Sequence, residues 1–115
     1  MNGNKMKLLT KSIEKKLIQQ WGGATTDKPY LKLFNPCGSS TWLISEYNPE
    51  ERMFFGLCDL GHGTPELGFV SLDELLEIKL PYGLKIERDM YWKPERTLLE
   101  YYELACECSD NMMYV

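Results

Sequence analysis

One short stretch gathers most of the reactive side chains: Gly56-Leu57-Cys58-Asp59-Leu60-Gly61-His62-Gly63-Thr64-Pro65-Glu66-Leu67-Gly68. It holds the chain's single histidine between two glycines, with a thiol and two carboxylates close by. His62 acting as a general base would need an orienting carboxylate, and Asp59 or Glu66 could supply it. As a metal ligand it would need partners from Cys58, Asp59 or Glu66, but no His-x-x-x-His or His-Glu-x-x-His spacing accompanies it. The competing reading is a loop tip. Glycines supply unusual dihedrals, and Asp and Glu side chains hold turns by accepting from backbone N–H groups. The turn role is preferred for Asp59 and Glu66. Gly61 and Gly63 make a Gly-x-Gly, yet neither a dinucleotide fingerprint nor a Walker-type Gly-Lys-Ser/Thr follows, so nucleotide binding is not expected.

The other cysteines are Cys37, Cys106 and Cys108. A Cys-x-Cys on a helix points its thiols apart, and no pair of clusters has zinc spacing. Reduced, unligated thiols are expected, with no metal and no cofactor assigned. No Gly-x-Ser-x-Gly elbow is present to support nucleophilic catalysis.

Charge is unevenly placed. The net charge is −4, but residues 1–35 carry seven Lys and two acids. Residues 46–77 carry Glu46, Glu50, Glu51, Asp59, Glu66, Asp73, Glu74 and Glu77 against Arg52 alone. Phosphate contacts need cations, so this segment is not expected to touch nucleic acid; it suits a basic protein partner, or is simply a solvated face. Trp42, Tyr47, Phe54 and Phe55 are strand aromatics of the kind that stack bases on basic sheets, but their acidic neighbours favour core packing or a protein interface.

The elements that must position these groups are readable from period and punctuation. Thr10 N-caps a helix whose stripe is Ile13, Leu17, Ile18 and Trp21. Strands follow in "YLKLFNP", "TWLISEYNPEE", "RMFFGLCDLG" and "ELGFVSL", joined by connections too short for crossover helices, hence antiparallel. Ser71 and Glu74 form a capping box for a short helix, with Val70 stapled onto Leu75. "LKIERDMYW" reads as a further strand. Thr97 and Glu100 cap a closing helix with Leu98, Tyr101, Tyr102 and Ala105 on its buried side. The expectation is one α+β domain over 1–115: an antiparallel sheet of four or five strands with an N-terminal, a short middle and a C-terminal helix, all on one face. Residues 1–6 and 109–115 are expected to be flexible. No run approaches a membrane span and the start lacks an apolar signal segment, so a cytoplasmic protein away from membranes is expected.

From Lys7 to Ala105 the chain resembles a family of small proteins from plasmids, phages and conjugative elements, catalogued as a domain of unknown function. The landmarks are "KLLT", "KLFNP", "TWLISEYNPE", "FGLCDLGHGTPELGFVSLDEL", "GLKIERDMYW" and "YYELA". The resemblance implies a compact α+β domain encoded near anti-restriction and other anti-defence genes, and it brings no catalytic residue. Its pattern holds Gly61, Gly63, Pro65, Glu66, Leu67 and Gly68 but varies at His62. It also holds Cys58, Asp59, Glu66, Glu87, Arg88 and Asp89. Asp59, Glu66, Glu87, Arg88 and Asp89 are therefore a candidate shared ionic cluster, or else Arg88 pairs structurally with Asp59 or Glu66.

The leading expectation is a non-enzymatic accessory protein that binds another protein, a host defence nuclease being the most specific candidate, in the manner of an anti-CRISPR or anti-restriction protein. Glu46, Glu50, Glu51, Asp59 and Glu66 would face the partner's basic groove. The alternatives are a small metal-dependent hydrolase using Asp59, Glu66, Glu87 and Asp89, and a module that forms a homodimer through its aromatic strands.

Overall fold

The computed structural model describes residues 8–23, 26–61 and 63–107. Within them lie α1 (Lys11–Gln19), β1 (Leu31–Phe34), β2 (Thr41–Asn48), β3 (Met53–Asp59), β4 (Glu66–Ser71), α2 (Leu72–Glu77), β5 (Glu87–Arg88) and α3 (Leu98–Glu107). The five strands form one antiparallel sheet in the order β4-β3-β2-β1-β5, so the fold is α+β as the sequence predicts. His62, Cys108 and the ends expected to be flexible lie outside the described residues. No described helix is long and apolar enough to cross a membrane.

The helix starts follow local chemistry. Thr10 Oγ1 accepts from Ile13 N at 3.1 Å, and Ser71 Oγ accepts from Glu74 N at 3.2 Å. At α3 the box is reciprocal: Glu100 N donates to Thr97 Oγ1, and Thr97 N donates to Glu100 Oε1 at 2.8 Å. These bonds satisfy N–H groups that the first helical turn leaves without an intrahelical partner.

The helices do not share one face of the sheet. Leu17 of α1 and Leu72 and Leu75 of α2 pack with Leu31, Leu33, Trp42, Ile44 and Phe54. Leu98, Tyr101 and Ala105 of α3 pack with Leu43 and Leu57, the opposite face. The reason is the composition of the central pair: β2 and β3 carry apolar side chains at both odd and even positions, so each face must be covered. Seven of the eight β2 residues are buried accordingly.

Two other elements depart from the sequence reading. Only Glu87 and Arg88 of the expected 84–92 strand pair with β1, at Phe34 and Leu33, and the chain turns directly afterwards, where the Asp89 carboxylate accepts from Tyr91 N. At α1 the expected stripe narrows. Leu17 is buried, whereas Ile18 and Trp21 stay partly exposed. Here α1 ends beside β2 beyond the reach of β1, and Gln20 Nε2 donates to the Ser45 carbonyl at 2.6 Å.

A bulge between Ile44 and Glu46 shifts the β2–β3 register. Ser45, the extra residue, is fully buried, and its hydroxyl has no hydrogen-bond partner among the described residues. Gly56 lies opposite, and a Cβ there would press on the Leu43 carbonyl and sit 2.9 Å from Ile44 Cα. Backbone cannot withdraw as a flexible side chain can, so this strand position requires glycine. At Gly68, its direct partner on β4, a Cβ would meet no described atom within 4 Å. Gly56→Ala should therefore lower stability by about 1–3 kcal/mol, while Gly68→Ala stays within about 0.5 kcal/mol of wild type. Urea denaturation of the two variants checks the contrast, and equal losses would contradict the close approach at the bulge.

Candidate functional site

The side chains singled out by type and spacing are spread over three places. Asp59 ends β3 and is 2 % exposed. Its Oδ1 accepts from Gly61 N at 2.8 Å, while Gly61 adopts φ 85°, a left-handed turn that glycine enters freely. The carboxylate thus shapes the β3–β4 loop, the turn role that the sequence favours. Glu66 is exposed at the start of β4, directly across from Cys58.

Glu87, Arg88 and Asp89 lie on the far side of the sheet. The register runs Glu66, Cys58, Trp42, Leu33, Arg88 along one row, with three strands between the outer residues. At the usual strand spacing this separates Glu66 from Arg88 by roughly 19 Å. Asp59 and Glu87 end a neighbouring row, with Thr41 and Phe34 between them, roughly 14 Å apart. The five residues grouped as an ionic cluster therefore form two groups at opposite sides, and Arg88 is out of reach of a structural pairing with Asp59 or Glu66. Asp89 turns to Lys32, 3.7 Å away, and accepts from Tyr91 N at 3.0 Å. The carboxylates of the hydrolase alternative do not converge. Among the described residues, no three His, Cys, Asp or Glu side chains gather into a metal-holding group.

Glu46 also departs from the surface role that the acidic segment suggested. It is 4 % exposed, and its Oε1 accepts from Gly22 N at 2.8 Å. This bond fastens the loop after α1 to the bulged end of β2. Burial removes Glu46 from contact with a partner. Glu50 and Glu51 are exposed in the β2–β3 turn, as are Asp73, Glu74 and Glu77 on α2. Arg52 Nε donates to Asp73 Oδ1 at 2.7 Å, and the Arg52 carbonyl accepts from Leu72 N, drawing turn and helix into one acidic corner.

Cys58 sits in a shallow groove of about 190 Å³ with Trp42, Gly56, Glu66 and Gly68 on its walls. Burial pushes its thiol above the ordinary range, and the Glu66 and Asp59 carboxylates push it further. Hydrogen bonding with Trp42 works the other way and is the smallest influence. The result is a protonated thiol, the reverse of an activated nucleophile.

One feature that spacing did not single out is the outer surface of β4. Phe69 is 66 % exposed, its ring centroid 5.1 Å from that of Phe55 and 6.0 Å from that of Trp21. Alternation in "ELGFVS" places Leu67 and Phe69 on one face, so an apolar row is legible there. Which members of that row stay exposed depends on what packs over them from elsewhere in the chain.

The fold and these placements define a small α+β protein with an acidic corner and an open, aromatic sheet edge, and without a convergent catalytic constellation among the described residues. Residues 7–111 match the family described as "Protein of unknown function (DUF2958)", and the chain belongs to that family. No curated protein and no solved structure matches the chain.

Two outcomes follow from these environments. Asp59→Ala should cost about 1–3 kcal/mol by leaving the Gly61 N–H without its acceptor. Asp59→Asn retains an accepting oxygen and should lose less, and Glu66→Ala should change thermal stability little; a Glu66 loss as large as that of Asp59 would overturn this division. For Cys58, a raised pKa means less thiolate at any given pH. Alkylation at about pH 8 should therefore modify exposed Cys37 well before Cys58, with the Cys58 rate still climbing above the ordinary thiol range. Mass-spectrometric mapping reads the order, and faster labelling of Cys58 would contradict its protonated state.

Proposed function

We propose that the protein is a non-enzymatic accessory factor that acts by binding another protein, and that its partner is a nucleic-acid-binding nuclease whose cationic groove receives the acidic corner. The observation that carries this reading is the exposed set Glu50, Glu51, Asp73, Glu74 and Glu77, offset by Arg52 alone within residues 46–77. A surface of one sign on a rigid turn and helix resembles a nucleic-acid backbone in charge, and steers association with basic surfaces. The separation of Glu66 from Glu87 and Asp89, and the protonated Cys58 thiol, favour binding over catalysis. The resemblance to proteins of mobile elements makes a host defence nuclease, of the restriction or CRISPR type, the natural candidate.

The experiment is a DNA-cleavage assay with candidate nucleases, with and without the protein, alongside a pull-down. The wild-type chain should inhibit its target, and inhibition should weaken as salt rises, because exposed charges are screened. Combined Glu50→Lys, Glu51→Lys and Glu77→Lys should reduce inhibition by at least about tenfold while the circular dichroism spectrum is unchanged. Full inhibition by the charge-reversed protein would defeat the electrostatic reading.

A further inference from the structure

β4 is an edge strand with β3 as its one neighbour in the sheet among the described residues. Which of its backbone groups face outward follows from a single bond. Leu72 N donates to the Arg52 carbonyl at 2.9 Å, and the β3–β4 register continues that pairing in steps through Val70–Phe54, Gly68–Gly56 and Glu66–Cys58. In an antiparallel ladder, directly bonded pairs alternate with non-bonded ones. Glu66, Gly68 and Val70 therefore bond to β3, whereas Leu67, Phe69 and Ser71 direct N–H and C=O away from the sheet.

Both faces flanking this edge are also open. On one side Phe69 stands exposed beside Phe55 and Trp21. On the other lies the groove of about 190 Å³, floored by the paired glycines Gly56 and Gly68. An added strand sends successive side chains to opposite faces. One row of a docked segment would meet the aromatic ring edges, and the other the space that Gly68 leaves unfilled. Soluble proteins commonly guard such an edge with an inward-pointing charge, a proline or a bulge. Between Leu67 and Ser71 this edge has none of them.

We propose that β4 is a docking edge that captures an extended, cationic segment of a partner protein by strand addition. This deepens the protein-binding reading above and rests on it. Charge selects the occupant. Every ionisable side chain from Gly63 to Ile78 is acidic, namely Glu66, Asp73, Glu74 and Glu77. A second copy of this chain would bring the same four carboxylates to the interface, whereas Lys and Arg flanking an apolar core would meet opposite charge at both ends of β4. Backbone pairing supplies the affinity and the alternating side chains the selectivity.

The test uses the full chain and a synthetic peptide of about eight residues, with Lys or Arg at both ends and Val and Phe between them. Controls are the same peptide with Glu in place of its cations, and one N-methylated on the amides of one edge. The cationic peptide should bind at least about tenfold more tightly than the acidic one. Binding should slow hydrogen exchange of the Leu67 and Phe69 amides in NMR spectra and leave Gly68 and Val70, already bonded to β3, little changed. N-methylation should abolish binding, and Phe69→Pro, which removes an outward N–H without taking a ladder bond from β3, should do the same in a folded protein. Binding that survives N-methylation, or that leaves Leu67 and Phe69 exchange unaltered, overturns the proposal. So does protection of those amides without peptide in a dimer seen by light scattering, which would make a second copy the occupant. Peptide capture at β4 without inhibition of any nuclease would refute the proposed function alone; nuclease inhibition that tolerates Phe69→Pro would refute the docking edge alone.

Discussion

The close approach of Gly56 to the bulged backbone of β2 is the contact on which the rest of the structure hangs. It lets β2 carry an extra residue at Ser45 while remaining hydrogen-bonded to β3 on both sides of the irregularity. Beyond the bulge, Glu46 faces Phe55 and Tyr47 faces Phe54, so the aromatic rows on the two faces stay in step. A one-residue slip would send each row to the other face. The buried Ser45 hydroxyl, unmatched among the described residues, is a local cost of this arrangement, and the Gln20 bond to the Ser45 carbonyl and the Gly22 bond to Glu46 offset part of it.

Those two bonds also explain how a short chain covers both faces of its sheet. α1 contributes Leu17 to one core, and Asp27 and Pro29, farther along the chain, meet the elements that cover the other face. There Leu98 N donates to the Asp27 carbonyl and Trp92 Nε1 to the Pro29 carbonyl, docking α3 and the segment before it. Lys32 lies over the Trp92 ring at 5.2 Å and adds a cation–π contact to the same junction. The carboxylate of Glu46 is thus spent on architecture, at the point where the loop after α1 must be held.

With both faces covered over β1 and β2, the sheet is left open toward β4. The functional reading follows from that asymmetry. The β5 edge is two residues long and closes with the Asp89 turn, whereas β4 runs six residues with exposed Phe69 and an acidic helix at its end. Turn and helix are joined through Arg52, whose left-handed backbone (φ 53°) is held by the Asp73 and Leu72 bonds. Acidic corner and open edge are therefore presented by one rigid unit.

The helix starts at Thr10, Ser71 and Thr97, the four main strands and their antiparallel order were legible because each rests on local rules: caps that accept from the N–H three residues on, alternation, and short connections. The turn role of Asp59 was legible for the same reason, since its partner Gly61 is two residues away. The division of helices between two faces was not legible, because odd and even positions of β2 and β3 are both apolar and periodicity cannot say which helix covers which. Nor could the sequence separate Glu46 from Glu50 and Glu51, three carboxylates in one acidic run. A bulge one residue away and a loop arriving from Gly22 bury the first and leave the others in solvent. The sequence by itself determined the elements and the turns that join them. Tertiary structure alone decided which charges and aromatics reach the surface, because burial depends on residues far apart in the chain.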